Sequence, residues 1–257
     1  MSAGGHEVVR VAERALLVRF TDADLARAVA RAHAVAARLR RAAPPGDATA
    51  AGESRAGRGR HRNQEHDTCR HEDEEKDERL PVKGEWILGA GNLLLRLDDS
   101  CAAREVEATV ARLDEVLQVF PFDESFSSGR AHSIDVAFGH ENGPDLPSVA
   151  REIGLQEDEI VAGFCAAEYT VAFVGFSPGF PYLIGLPREL EVARLAAPRT
   201  SVPAGSVAIA GPFAGVYPSA TPGGWRLLGR TGERLFDPAA DPPARFAPGD
   251  RVRFVAS

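Results

Sequence analysis

The sequence predicts an α+β fold in two parts: a ferredoxin-like α/β sandwich over residues 1–140, then an all-β barrel or sandwich over residues 141–257. Three observations carry this. Strand and helix patterns alternate in the first part in the order β-α-β-β-α-β. From Tyr169 onward the chain turns to short apolar runs punctuated by Gly and Pro. A tract in between, Pro44–Leu80, has the texture of neither part.

The elements follow in order. Arg14–Phe20 (RALLVRF) is a short strand pattern, and Thr21 can cap the helix after it, where Leu25, Val29, Ala32, Ala36 and Leu39 recur at helical spacing. Glu85–Leu88 and Asn92–Leu97 are two strands joined by a Gly89-Ala90-Gly91 turn. A second helix is predicted from about Ala102 to Val119, with Val106, Val110, Leu113 and Leu117 on one face, and Ser133–Phe138 closes the unit as its last strand. After Gly143-Pro144-Asp145 come two short helices, about Leu146–Ile153 and Glu157–Ala166; the acidic start of the second suits a helix N-terminus. YTVAFVGF, GSVAIAG, GWRLLGRT and DRVRFVA are the strands of the second part.

Pro44–Leu80 opens with Pro, Gly and Ala, turns basic, then acidic. Leu80 is its only large aliphatic residue, so it cannot bury enough surface to offset the entropy of ordering and reads as a disordered insertion. His61, His66, Cys69 and His71 lie in it, but their spacing fits no standard zinc pattern, so no metal site is expected.

The charge of −7 argues against a nucleic-acid partner. No apolar run reaches the length of a membrane span, no signal peptide is recognisable, and Cys69, Cys101 and Cys165 form no C-x-x-C pair; the expected compartment is the cytoplasm. Every histidine and both lysines precede Glu141, so all positive charge in the second part is arginine, which serves neither as a base nor as a Schiff-base nucleophile. Without a lysine that part can be neither a P-loop protein nor a biotin carrier.

Gly175–Pro187 (GFSPGFPYLIGLP) contains G-x-S-x-G, the pattern of a hydrolase nucleophile elbow. Ser177 does not meet its requirements. Pro178 has no N–H for an oxyanion hole, no histidine lies downstream, and three prolines preclude a following helix. Cys165, with no His or Lys beside it, reads as packing. The stretch instead reads as a rigid loop presenting Phe176, Phe180 and Tyr182, and APRTSVPAGSVAIAG and GVYPSATPGGWRLLGRT have the same texture. These pieces are either barrel corners or a preformed pocket or partner groove, with Tyr217 and Trp225 as further aromatic faces.

VGFSPGFPYLIGLP, PRTSVPAGSVAIAG, GVYPSATPGGWRLLGRT, LFDP and PGDRVRF, with ERALLVRF and GPDL in the same order, resemble the allophanate hydrolase subunit 1 / KipI / PxpB family. The resemblance spans nearly the whole chain except Pro44–Leu80, and it implies a cyclophilin-like β-barrel for the second part. It also implies a non-autonomous subunit. In 5-oxoprolinase such a chain works beside an allophanate hydrolase subunit 2-like (PxpC-like) sister and a PxpA-like third protein, opening the lactam of 5-oxoproline with ATP; no metal or biotin is expected on this chain. Arg199 and Arg230 are the candidates for stabilising developing charge, with Thr200, Gly205 and Ser206 as donors. Relatives usually carry a histidine where Phe164 stands. The motifs describe a scaffold that also serves the carboxyltransferase part of urea carboxylase and KipI-like histidine-kinase inhibitors, so three functional readings stand.

Overall fold

In a computed structural model the described residues are 6–12, 15–21, 24–42, 84–97, 106–111, 113, 117 and 129–257. The expected insertion at Pro44–Leu80 lies outside them, as do both ends of the expected second helix.

The N-terminal sheet joins β1 (His6–Ala12), β2 (Ala15–Phe20), β3 (Gly84–Gly89) and β4 (Asn92–Leu97) in the order β1-β2-β4-β3, all antiparallel. Alternation decides which face is buried: Leu16, Val18 and Phe20 of β2 meet Leu93, Leu95 and Leu97 of β4 in one core. Over that face lies α1 (Leu25–Ala42), which contributes Ala28, Ala32, Val35 and Ala36; α2, helical at 106–111, 113 and 117, adds Val106, Leu113 and Leu117. The Asp24 carboxylate accepts the Ala26 N–H at 2.7 Å, so Asp24, rather than Thr21, caps α1.

This is a ferredoxin-like sandwich with one exchange. The β-α-β-β-α-β pattern puts Ser133–Phe138 in the outer place beside β2; β1 takes it. The strand at Ala131–Phe138 (β5) belongs to the barrel, where it runs parallel to β13 (Arg251–Ala256) through six consecutive residue pairs. A boundary after residue 140 therefore cuts off a barrel strand.

The barrel is closed, in the order β10-β7-β6-β13-β5-β12-β9. Its other strands are β6 (Tyr169–Val174), β7 (Pro181–Ile184), β9 (Ser206–Ala210), β10 (Phe213–Val216) and β12 (Arg226–Arg230). A separate ribbon pairs β8 (Arg199–Val202) with β11 (Thr221–Gly223). Two helices precede β6. Proline in the first turn and a left-handed Gly154 at the end bound α3 (Leu146–Ile153), and Glu159 accepts the Gln156 N–H at 2.8 Å to cap α4 (Glu157–Ala166). Phe164 of α4 is fully buried, packed against Tyr169 and Phe254 with ring centroids 5.2 and 4.9 Å away. Phe164 thus stands at the centre of an aromatic core.

The two parts touch. Val29 of α1 packs against Ala172 and Ile184 of the barrel, and His33 Nε2 lies 2.5 Å from the Ala172 carbonyl oxygen. Among the described residues no helix is long and apolar enough to cross a membrane.

Candidate functional site

The Gly-Pro-aromatic stretches converge at one end of the barrel. Between β6 and β7, the Ser177 N–H donates to the Gly175 carbonyl (2.9 Å) and the Phe180 N–H to the Ser177 carbonyl (3.0 Å), closing a tight turn. A strand follows it, not a helix, so the turn is no nucleophile elbow. It seats Phe180 in the core at 1% exposure and leaves Phe176 at 63%, held at φ 69°, where a bulky side chain is strained.

Phe180 is the hub. Its ring meets Tyr182, Tyr217 and Trp225 edge-on at 5.1, 5.0 and 5.3 Å between centroids. Phe176 stands edge-on above Phe180 at 5.5 Å, and Tyr182 stacks on Phe173 at 4.2 Å. Phe176, Phe180, Tyr182, Tyr217 and Trp225, with Pro198, Pro222 and Arg194, line a half-open cavity of about 200 Å³. The floor has no room to spare: a methyl on Gly215 would come within 2.9 Å of both Phe180 Cζ and Trp225 Cζ3.

One charge stands at this cavity. The Arg194 guanidinium lies 5.8 Å from the centre of the Trp225 ring, within cation–π range, and among the described residues no carboxylate pairs with it. Burial raises the pKa of both Tyr182 and Tyr217 and keeps them protonated at neutral pH, although Arg194 pulls each the other way. Arg194 carries no motif signature; only the fold brings it over Trp225.

The arginines picked from sequence sit elsewhere. Arg199 Nη2 donates to Asp145 Oδ1 at 2.6 Å, while Asp145 Oδ2 accepts the Leu227 N–H at 2.7 Å. Asp145 thereby ties the start of α3 to β8 and β12. Gly143 beside it must be glycine, because a Cβ there would run into the Leu228 backbone. Arg230 is exposed and donates from Nε to the Ala204 carbonyl at 3.0 Å. Gly205 has no N–H to offer a ligand, since it donates to the Tyr217 carbonyl at 2.7 Å. Ser206 is buried in β9 and Thr200 exposed on β8; neither lines the cavity. Of the sequence-picked residues, Phe176, Phe180, Tyr182, Tyr217 and Trp225 come together.

A second polar cluster holds β13. Asp250, 3% exposed, accepts the N–H groups of Arg130 and Ala247 at 2.9 and 3.0 Å and lies 2.9 Å from His132 Nε2. Burial pushes its carboxyl up, but those three partners outweigh burial and hold it below the usual carboxylate range. Cys165 lines a shallow hollow of about 400 Å³ with His140, Glu157 and Asp158. Burial raises the pKa of its thiol, against a smaller opposing pull from the Ala256 backbone, which leaves it a poor nucleophile. Among the described residues no group of three or more His, Cys, Asp or Glu could hold a metal; His61, His66, Cys69 and His71 lie outside them.

Comparison with known proteins gives a consistent picture. The family described as carboxyltransferase domain, subdomain C and D, matches residues 54–246. A 5-oxoprolinase subunit of Escherichia coli O157:H7 is 46% identical over 178 residues, covering 68% of this chain and 79% of that protein. The crystal structure of TTHA0988 aligns at 30% identity with a TM-score of 0.67, covering 95% of this chain and 40% of that one. The Kluyveromyces lactis urea carboxylase covers 98% of this chain and 22% of its own, at 16% identity and a TM-score of 0.63, a likeness of fold alone. This chain spans less than half the length of either solved protein.

Proposed function

Since the chain belongs to the family of carboxyltransferase-domain subdomains C and D, we propose that it is the PxpB-type subunit of a 5-oxoprolinase. The 46% identity to a 5-oxoprolinase subunit carries this reading. The reaction would convert 5-oxo-L-proline to L-glutamate at the expense of ATP. A lactam opens only if its nitrogen can leave, and transfer of the γ-phosphoryl group to the amide oxygen makes its carbon open to water. One water then cleaves the ring to an acyl phosphate, and a second releases phosphate and glutamate.

This chain is suited to part of that work. After Glu141 it has no lysine or histidine to act as base, and its aromatic cavity is too small for a nucleotide beside a substrate. We place ATP binding and the activation of water with the PxpC-like and PxpA-like companions. The present chain would contribute ligand contacts and half of a shared interface.

Reconstitution tests this. Purified alone, the chain should form neither glutamate nor phosphate from 5-oxoproline and ATP; with both companions it should form the two in equal amounts. Turnover by the isolated chain would defeat the proposal. So would an inactive full mixture whose chain instead supports biotin-dependent carboxylation of urea or binds a histidine kinase.

A further inference from the structure

The cavity under Phe176 has three properties that together specify a ligand. Its walls are aromatic, lined by Phe176, Phe180, Tyr182, Tyr217 and Trp225, so they suit a ring rather than an extended polar chain. Its charge is a single guanidinium, Arg194, exposed over Trp225 and unpaired among the described residues, which matches one carboxylate. Its volume of about 200 Å³ admits one small ring and excludes a nucleotide.

From these we propose that the aromatic cavity is a binding site for a small cyclic carboxylate, whose ring lies beneath Phe176 against the lining aromatics and whose carboxylate is held by Arg194. Resting on the oxoprolinase reading, the occupant in the complex is 5-oxoproline itself. Tyr182 also lines the cavity, and its hydroxyl keeps its proton as a further donor. Phe176 bears on the same site. A phenylalanine held at positive φ and left 63% exposed gives the isolated barrel only two edge contacts, with Phe180 and Tyr217, but as a flap above the cavity its ring would cover a bound ligand. Arg194 acts here as a specificity residue, not as an acid or base.

The chain has two tryptophans, Trp86 in the N-terminal sheet and Trp225 in the cavity. In a Trp86→Phe background, Trp225 emission reports the site alone. Titration with 5-oxo-L-proline, on the chain and on the assembled complex, should give a saturable change. Two weakenings are expected, each by at least about tenfold: with 2-pyrrolidinone, the same lactam without its carboxylate, and in Arg194→Gln. Arg188→Gln, outside the cavity, should match the parent. In the complex, Arg194→Gln should raise KM for 5-oxoproline and leave KM for ATP unchanged.

Equal binding of 2-pyrrolidinone, an unaltered Arg194→Gln titration or no response in either form of the protein would overturn the assignment. Loss of the response once the PxpC-like sister docks would overturn it too, and make the cavity a socket for a partner side chain. The two proposals fail separately. A complex that opens 5-oxoproline with unchanged KM in Arg194→Gln keeps the function and loses the site; a saturable titration with an inactive complex keeps the site and loses the function.

Discussion

Arg194 and Arg199 stand close together in one loop-and-strand segment, yet their surroundings are opposite. Arg199 is tied to Asp145, whose other oxygen holds the Leu227 N–H, so its charge is used up inside the protein. Arg194 lies over an indole in contact with water. The first region is a clamp that joins three elements; the second is a preformed wall with one charge left over. Residue type therefore does not separate architecture from recognition in this barrel. The partner does: an arginine whose carboxylate comes from its own chain serves the fold, and one without is available to a ligand.

The strongest way to break this contrast is to remove the clamp. Asp145→Ala leaves Arg199 without its carboxylate, with Nη1 already buried and unbonded among the described residues, and it orphans the Leu227 N–H. Uncompensated groups of this kind cost about 3 kcal/mol or more, whereas exposed Arg194→Ala should cost less than about 0.5 kcal/mol. Urea unfolding of both variants checks this. Similar losses in the two would erase the distinction.

Asp250 extends the clamp argument to pH. Its carboxyl binds a proton less readily in the folded protein than in the unfolded chain. As pH falls through the carboxylate range the unfolded state takes up the proton first, so stability is intact at neutral pH and declines toward acid. Asp250→Asn should lower stability near neutrality by about 2 kcal/mol and flatten that acid decline. Urea midpoints between about pH 7 and pH 3 measure both. An unchanged acid slope would mean that other carboxylates dominate it.

What is legible in the sequence follows the same division. YTVAFVGF, GSVAIAG, GWRLLGRT and DRVRFVA are legible as strands because each is a short apolar run between Gly, Pro or charge. Residues 133–138 are legible as a strand, but their sheet is not, since β5 is assigned by parallel pairing to β13 far along the chain. The pocket aromatics announce themselves by crowding with Gly and Pro. Arg194 does not, because a loop arginine looks the same whether it ends over Trp225 or in solvent. Asp145 is visible within GPDL, but its role depends on Arg199 and Leu227, which only the fold brings near.

On the pocket side, Gly215→Ala tests the floor. The added methyl would sit 2.9 Å from two rings and 3.0 Å from the Pro181 carbonyl oxygen, so Phe180 or Trp225 must shift. Overpacking of this kind costs about 1–3 kcal/mol. The shift should also alter Trp225 emission in the Trp86→Phe background. Unchanged stability and emission together would show that the floor has slack, and the size argument for a single small ring would weaken with it.

The smallest expected effect is also the most discriminating, because its sign differs between the two roles. Phe176 is held at φ 69° with 63% of its surface exposed, and its ring meets Phe180 and Tyr217 only by its edge. Glycine adopts that backbone conformation without strain, so Phe176→Gly removes a cost of about 1 kcal/mol, less the loss of two edge contacts and the added freedom of the unfolded chain. The net change in Tm should be slight, within about 3 °C and upward if strain dominates. Turnover of 5-oxoproline by the assembled complex should nonetheless fall, through a higher KM, if the ring covers the bound ligand. A residue kept for packing would behave the other way: Tm would drop clearly and KM would stay where it was. That outcome would move Phe176 to the side of Arg199, among the parts that serve the fold.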